Sequence, residues 1–184
     1  MKKVNIFYIL GVTLIIVSVA LLIISKKQVA EFQTKTKQNV TQLQNNIPSR
    51  KSSISEQYTD EEMPVCEIDG VDYCALLEIP RLSTVLPVAN NWKNADAYTS
   101  RFGGSAYNQS MIIGGQGLGI VTQLDIGDHI TVVDMLGGEF SYKVKSIERA
   151  REVTEETFTL EESSLILFTY MKNEKKYIVV RCDL

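Results

Sequence analysis

The chain of 184 residues has few of the side chains that bind transition metals. It contains one histidine, His129, and three cysteines, Cys66, Cys74 and Cys182, and no metal-ligand spacing links them. Because a zinc site needs a cluster of such ligands, we expect no metal, and the sequence indicates no other cofactor.

The sequence also lacks an excess of basic residues. After Pro64 it carries eleven Lys/Arg against seventeen Asp/Glu, so this part of the chain is acidic. A protein that binds nucleic acid neutralises phosphates with a basic surface. We therefore expect no nucleic-acid partner.

Long apolar runs are also scarce, with one exception near the N-terminus. From Ile6 to Ile24, nineteen residues carry no charge, and Tyr8, Thr13 and Ser18 are the only polar side chains. A helix of this length spans a bilayer core, so residues 1–27 are predicted to be an uncleaved transmembrane signal anchor. The alternative, a cleaved signal peptide, has a shorter apolar core and a small-residue cleavage site. Lysines flank the run on both sides, so charge alone leaves its orientation open.

Residues 28–64 are predicted to form a polar juxtamembrane stalk and linker. Val29, Phe32, Val40, Leu43 and Ile47 recur at partly helical spacing, which favours a helix or a weak self-associating stalk. Pro48 would end this helix. The Ser-rich stretch 49–55 that follows is typical of a flexible linker.

From residue 65 to residue 184 the pattern changes to short apolar runs separated by turn residues, as in β-barrels and sandwiches. Asp69-Gly70 is a hairpin signal, and Leu136-Gly-Gly138 is a second turn between strand-like runs. These residues are predicted to form one all-β domain, large enough for a closed barrel core. Cys66 and Cys74 flank the first turn, and either a disulfide between them or two small buried side chains fits this spacing.

Several short segments, in order along residues 71–184, resemble the sortase family, nearest to the small class B type. They are Leu77-Glu-Ile-Pro80, Leu86-Pro87-Val88, Gly104-Ser-Ala-Tyr107, Ile112-Ile-Gly-Gly-Gln116, Leu124 with Gly127-Asp128, and Leu167-Phe-Thr-Tyr170 with Val180-Arg181-Cys182. The resemblance implies a closed β-barrel of about eight strands with short helices, preceded by one transmembrane helix. It also implies a cell-membrane location with a single pass, a cytoplasmic N-terminus and an extracellular C-terminal domain.

Sortases cut a sorting peptide with a cysteine thiolate, helped by a histidine and an arginine. In this chain the three family positions fall on Tyr170, Gln116 and Arg181. A phenol stays protonated near neutral pH and an amide exchanges no proton there, so two of the three catalytic groups are replaced. Arg181 is left either to bind a ligand carbonyl or carboxylate or to form a structural ion pair.

Other residues are poor replacements for these groups. His129 begins a strand-like run, which favours a place on the barrel rim. Cys182 follows Arg181 directly, and because neighbouring strand residues face opposite sides, Cys182 is predicted to lie in the core if Arg181 faces the site.

The resemblance therefore predicts a membrane-anchored pseudosortase that binds sorting-signal peptides, surface or pilus proteins, or an active sortase. An active transpeptidase with unconventional residues and a structural protein of the cell envelope are the two alternatives.

Overall fold

The structure is a computed structural model that describes residues 6–49, 62–92, 99–159 and 163–184. The chain divides into two compact units, Met1–Gln38 and Asn39–Leu184. One α-helix, α1, covers Ile6–Asn46. It ends two residues before Pro48, as the sequence predicts, because the proline ring cannot continue a helix.

The apolar run lies in the first unit. The described side chains from Leu10 to Ile24 are exposed, and the Ser18 hydroxyl donates a hydrogen bond to the Leu14 carbonyl at 2.8 Å. Among the described residues, no helix has an apolar stretch long enough to cross a membrane. The prediction of a transmembrane segment is therefore not supported. The side chains of residues 6–9, at the start of the predicted span, lie outside the described part of the chain.

The second unit is an all-β domain, as predicted. Its described residues form nine strands: β1 Cys66–Ile68, β2 Val71–Ile79, β3 Thr84–Ala89, β4 Thr99–Gly103, β5 Met111–Gly114, β6 His129–Asp134, β7 Glu139–Ala150, β8 Leu165–Met171 and β9 Lys176–Asp183. Short 3-10 helices connect some of them, including one at Gln116–Gln123 and one at Glu155–Phe158.

The strands close into a barrel. They follow one another in the order β1-β2-β3-β4-β5-β8-β9-β7-β6, and an additional pairing of β2 with β6 joins the two ends. The closed ring therefore has eight strands, β2 to β9, which confirms the prediction of about eight. Strand β1 adds a short hairpin to the start of β2. The two residues of that hairpin turn, Asp69 and Gly70, have φ angles of 51° and 75°, which suits the tight turn that the sequence predicts.

The barrel interior is the main core. Along β7, the buried Phe140, Tyr142 and Val144 alternate with exposed residues, the pattern of a strand with one apolar face. Side chains from the other strands of the ring, such as Ile130, Leu167 and Val180, fill the same core.

The C-terminal part of α1 packs against the outside of the barrel unit. Leu43 is fully buried in a cluster with Tyr73 and Leu76 of β2. The Asn39 amide donates a hydrogen bond to the Tyr73 hydroxyl at 2.9 Å, and both side chains are buried. Residues 39–46, which fall within the predicted linker 28–64, therefore belong to the barrel unit. Of the predicted Ser-rich linker 49–55, residues 50–55 lie outside the described residues.

The three cysteines are free thiols. Cys66 pairs with Tyr73 across the β1-β2 hairpin, and both belong to the outer cluster around Leu43. Cys74 is the next residue after Tyr73 and faces the barrel interior. Because neighbouring strand residues face opposite sides, Cys66 and Cys74 lie on opposite faces of the sheet. Of the two predicted alternatives for this pair, the structure therefore does not contain the disulfide.

Candidate functional site

An open groove of about 680 Å³ lies where β5 and β8 end. One wall comes from β8 and β9, and another from the segment after β7. The third side comes from Trp92, β4 and the start of the 3-10 helix after β5. The lining residues are Trp92, Phe102, Gly115, Gln116, Val153, Thr154, Phe158, Phe168, Thr169, Tyr170 and Tyr177.

Aromatic rings form most of this surface. The Phe168 ring lies 5.4 Å from Trp92, 5.6 Å from Phe102 and 4.9 Å from Phe158, measured between ring centroids. Phe102 in turn contacts Trp92 at 5.0 Å, edge to face, and Phe158 at 5.1 Å. These distances and angles are the favourable ones for aromatic pairs. The four rings therefore hold one another in place and leave an apolar surface open to solvent.

The pairing of β5 with β8 brings Gln116 and Tyr170 to the same groove. The two strands are parallel, with Gly114 beside Phe168, and the Gly115 amide donates a hydrogen bond to the Phe168 carbonyl at 3.3 Å. Gln116 and Tyr170 each lie two residues after this pair, and both line the groove. Gly114 makes this arrangement possible, since a Cβ atom there would overlap the Phe168 ring and lie 2.7 Å from Cζ3 of Trp92.

The residue that faces Tyr170 across the β8-β9 hairpin is Tyr177. The two residues pair in register, and their rings lie 4.9 Å apart. Tyr170 remains 42% exposed, so its phenol is available to a molecule in the groove. The hydroxyls of this pair and the Gln116 amide supply hydrogen-bonding groups beside the apolar rings.

Arg181 does not line the groove with Gln116 and Tyr170. It pairs with Ile166, four residues before Tyr170 on β8, or roughly 13 Å along the strand. Its guanidinium lies 3.2 Å from the Glu148 carboxylate and donates hydrogen bonds to the carbonyls of Thr157 and Thr159 at 2.8 Å and 3.0 Å. The structure therefore matches the ion-pair role rather than the ligand-binding role.

The remaining candidate groups lie elsewhere. His129 is exposed at the first position of β6 and is not part of the groove lining. Cys182 is fully buried in the barrel core together with Cys74, although Arg181 does not face the groove, which was the condition of the prediction. Burial raises the pKa of each of these two thiols to about 12. A thiol is a nucleophile only as the thiolate, so neither one is active near neutral pH.

The described lining consists mainly of aromatic, hydroxyl and amide side chains. It contains no thiol, imidazole, carboxylate or cationic side chain among the residues that the structure describes. The side chains that line the groove can provide apolar contacts and a few hydrogen bonds to a ligand.

Sequence reasoning missed the aromatic surface. Of its six aromatic residues, only Tyr170 was identified as a site residue. Phe168 lies in the same motif but was not recognised as part of the site, and Trp92, Phe102, Phe158 and Tyr177 come from separate segments. The sequence did contain one signal for this surface. Trp92 and Phe158 are large aromatic residues that lie outside the alternating apolar runs of the strands.

Comparison with solved structures identifies the fold. A sortase D5 transpeptidase from Clostridium perfringens superposes with a TM-score of 0.54 and 18% identity, over 67% of this chain and 82% of that one. Sortase A of Listeria monocytogenes superposes with a TM-score of 0.52 and 17% identity, over 61% of this chain and 86% of that one. The chain therefore has the sortase fold, as its motifs predict.

Comparisons at the level of sequence add nothing to this likeness. No family model matches the chain, and no curated protein matches it. At such low identity to the solved structures the fold is what the likeness establishes, and the resemblance to class B stays a prediction.

Proposed function

We propose that this protein is a non-catalytic member of the sortase family, a pseudosortase, whose groove binds a sorting-signal peptide or a segment of a surface or pilus protein during assembly at the cell surface. The observation that carries this proposal is the composition of the groove. At the two strand ends where the sequence resembles sortases, the side chains are Gln116 and Tyr170, and aromatic rings surround them. The described lining of the groove offers a surface for binding, but it contains neither a thiol for nucleophilic attack nor an imidazole for proton transfer.

The lining also defines the chemistry of the ligand. Because no described charged side chain faces the groove, a charged ligand group would lose its water without gaining an ion pair. The part of the ligand that enters the groove is therefore uncharged and carries apolar side chains that pack on Trp92, Phe102 and Phe168. The Gln116 amide and the Tyr170 hydroxyl bond the ligand backbone, which fits an extended peptide.

Attachment to the cell membrane is part of the proposal. From Leu10 to Ile24 the helix carries no charge, and its large apolar side chains are exposed, several by more than 60%. Such a surface is unfavourable in water and favourable in lipid. Full-length protein is expected to stay with membranes after alkaline carbonate washing, and protease added to intact cells is expected to degrade the barrel domain. Recovery in the carbonate supernatant, or protection of the barrel, would contradict this location.

Trp92 makes binding directly measurable. It is the only tryptophan in the chain, and it lies in the groove. Titration of the full-length protein with Leu-Pro-x-Thr-like and Asn-Pro-x-Thr-like peptides is expected to shift its fluorescence in a saturable way, and scrambled peptides are expected not to. Phe102→Ala removes an apolar contact of the groove wall and is expected to weaken binding.

The experiment also separates the alternatives. If no peptide shifts the Trp92 signal, the groove does not bind such peptides, and the structural envelope role is favoured. If peptides bind and a cleaved or transferred product accumulates, the protein is an enzyme.

A further inference from the structure

Arg181 contacts the groove wall formed by residues 151–159, at the two residues that flank Phe158. Phe158 ends the 3-10 helix at Glu155–Phe158. The Arg181 guanidinium donates one hydrogen bond to the carbonyl of Thr157 and another to the carbonyl of Thr159, the residues directly before and after Phe158. The backbone on either side of this aromatic side chain is therefore tied to β9.

The guanidinium is in turn oriented by Glu148 of β7. The Arg181 Nε atom lies 3.2 Å from the Glu148 carboxylate, and the Arg181 side chain is only 19% exposed. Hydrogen bonds with a charged partner are about twice as strong as neutral ones, and the planar fork of an arginine is suited to bonding several acceptors at fixed angles. All three kinds of nitrogen in this side chain therefore have partners in the protein.

Among the described residues, the wall that Arg181 holds is attached mainly by apolar packing, in which Val153 also contacts the cluster of Ile166, Phe168 and Val179. The segment from Arg151 to Thr159 belongs to none of the strands. Within it, the side chains of Thr154 and Thr157 each accept a hydrogen bond from the other residue's backbone amide. Phe158 then packs against Phe102 and Phe168 in the groove. Among the described residues, the position of this wall thus depends on the packing of Val153 and Phe158 and on the two hydrogen bonds from Arg181.

We infer that Arg181 is a positioning residue for ligand binding: through Thr157 and Thr159 it places Phe158 and so sets the width of the groove. This inference rests on the proposed binding function for its effect on affinity. Its effect on the wall does not depend on any ligand.

The test uses the full-length protein and two readouts of Trp92. Acrylamide quenching of Trp92 fluorescence in the absence of peptide reports the position of the wall indirectly, because Phe158 contacts Phe102 and Phe168, the two rings that contact Trp92. Titration with a Leu-Pro-x-Thr-like peptide that binds the unmodified protein reports affinity. Arg181→Ala is compared with Arg149→Ala, which removes an arginine of β7 whose exposed ion pair with Glu174, at 3.6 Å, involves neither Thr157 nor Thr159.

Arg181→Ala is expected to increase acrylamide quenching of Trp92 and to lower the affinity for the peptide about tenfold, because two charge-assisted hydrogen bonds to the wall are lost. Arg149→Ala is expected to leave both readouts unchanged. Arg181→Lys keeps the charge beside Glu148 but not the fork, and it is expected to behave like Arg181→Ala. Glu148→Gln keeps an acceptor and is expected to give an intermediate result.

A lysine variant with the quenching and affinity of the unmodified protein would overturn the inference, since charge alone would then suffice. Unchanged quenching in a folded Arg181→Ala protein would overturn it as well. If Arg181→Ala does not fold, quenching and affinity are compared between Arg181→Lys and Glu148→Gln. A larger effect of Arg181→Lys supports the inference, and unmodified values in Arg181→Lys overturn it. Increased quenching in a protein that binds no peptide would support the wall position and contradict the binding function.

Discussion

The substitution Gly114→Ala tests the aromatic groove with a single added methyl group. A Cβ atom at this position would overlap the Phe168 ring and lie 2.7 Å from Cζ3 of Trp92. Neither ring can move easily, because Phe168 also contacts Phe102 and Phe158. The backbone of Gly114 has an ordinary φ angle, so the methyl group causes steric overlap without backbone strain.

The expected cost follows from this overlap. Added methyl groups in well-packed clusters typically lower stability by about 1–3 kcal/mol, and we expect Gly114→Ala to lower the free energy of unfolding within this range. Gly103→Ala is the matched control. Gly103 ends the neighbouring strand β4, and no heavy atom lies within 4 Å of its added Cβ. This control is expected to be neutral or to gain up to about 1 kcal/mol, since alanine restricts the unfolded chain.

Urea unfolding of both variants, followed by Trp92 fluorescence and by far-ultraviolet circular dichroism, measures the two effects. The folded Gly114→Ala protein is also expected to show a shifted Trp92 emission, because the ring environment changes. If Gly114→Ala were as stable as Gly103→Ala and kept the emission of the unmodified protein, the rings would not pack as described.

Further predictions concern the barrel unit. Leu43→Ala is expected to destabilise the barrel by about 2–5 kcal/mol, because Leu43 is fully buried against β2. Gln44→Ala, at an exposed position of the same helix, is expected to change stability by less than about 0.5 kcal/mol; equal midpoints in urea would contradict the packing. Burial raises the pKa of Cys74 and of Cys182 to about 12 from 9.0. The unfolded chain therefore loses protons first as the pH rises above 9, and the free energy of unfolding is expected to fall by up to about 1.4 kcal/mol per pH unit for each thiol. Replacing both thiols by alanine should reduce this slope between pH 9 and pH 10, and an unchanged slope would argue against their burial.

The barrel was predictable because its signals are local. Alternating apolar residues and turn residues such as Asp69-Gly70 and Leu136-Gly-Gly138 mark hairpins within a few positions. The meeting of Gln116 and Tyr170 was predictable from the resemblance to sortases, since their strand ends carry family-like motifs. The structure places both residues in one groove.

The position of Arg181 was not predictable, because it depends on the register of the β8-β9 hairpin. The turn Lys172-Asn-Glu-Lys175 contains no glycine, and Lys175 itself adopts a positive φ of 53°, so the sequence does not show where the turn is centred. Moving the register by a few residues decides whether Arg181 or Tyr177 faces Tyr170. The sequence alone cannot distinguish these two pairings.

The packing of the end of α1 was missed for a different reason. Asn39 and Leu43 stand in a polar stretch that is typical of a linker. Their partner Tyr73 is thirty-four residues from Asn39 in the chain. Contacts between segments so far apart leave no periodic signal in either one, although the spacing of Val40, Leu43 and Ile47 is that of one helix face.

Native mass spectrometry of the full-length protein with a Leu-Pro-x-Thr-like peptide and an amine acceptor tests the central claim most directly, because it detects binding and turnover in the same sample. The proposed function predicts a noncovalent complex that contains the intact peptide, and no change in the mass of either component on prolonged incubation. A covalent acyl adduct on the protein, or a peptide cleaved or joined to the amine, would contradict it.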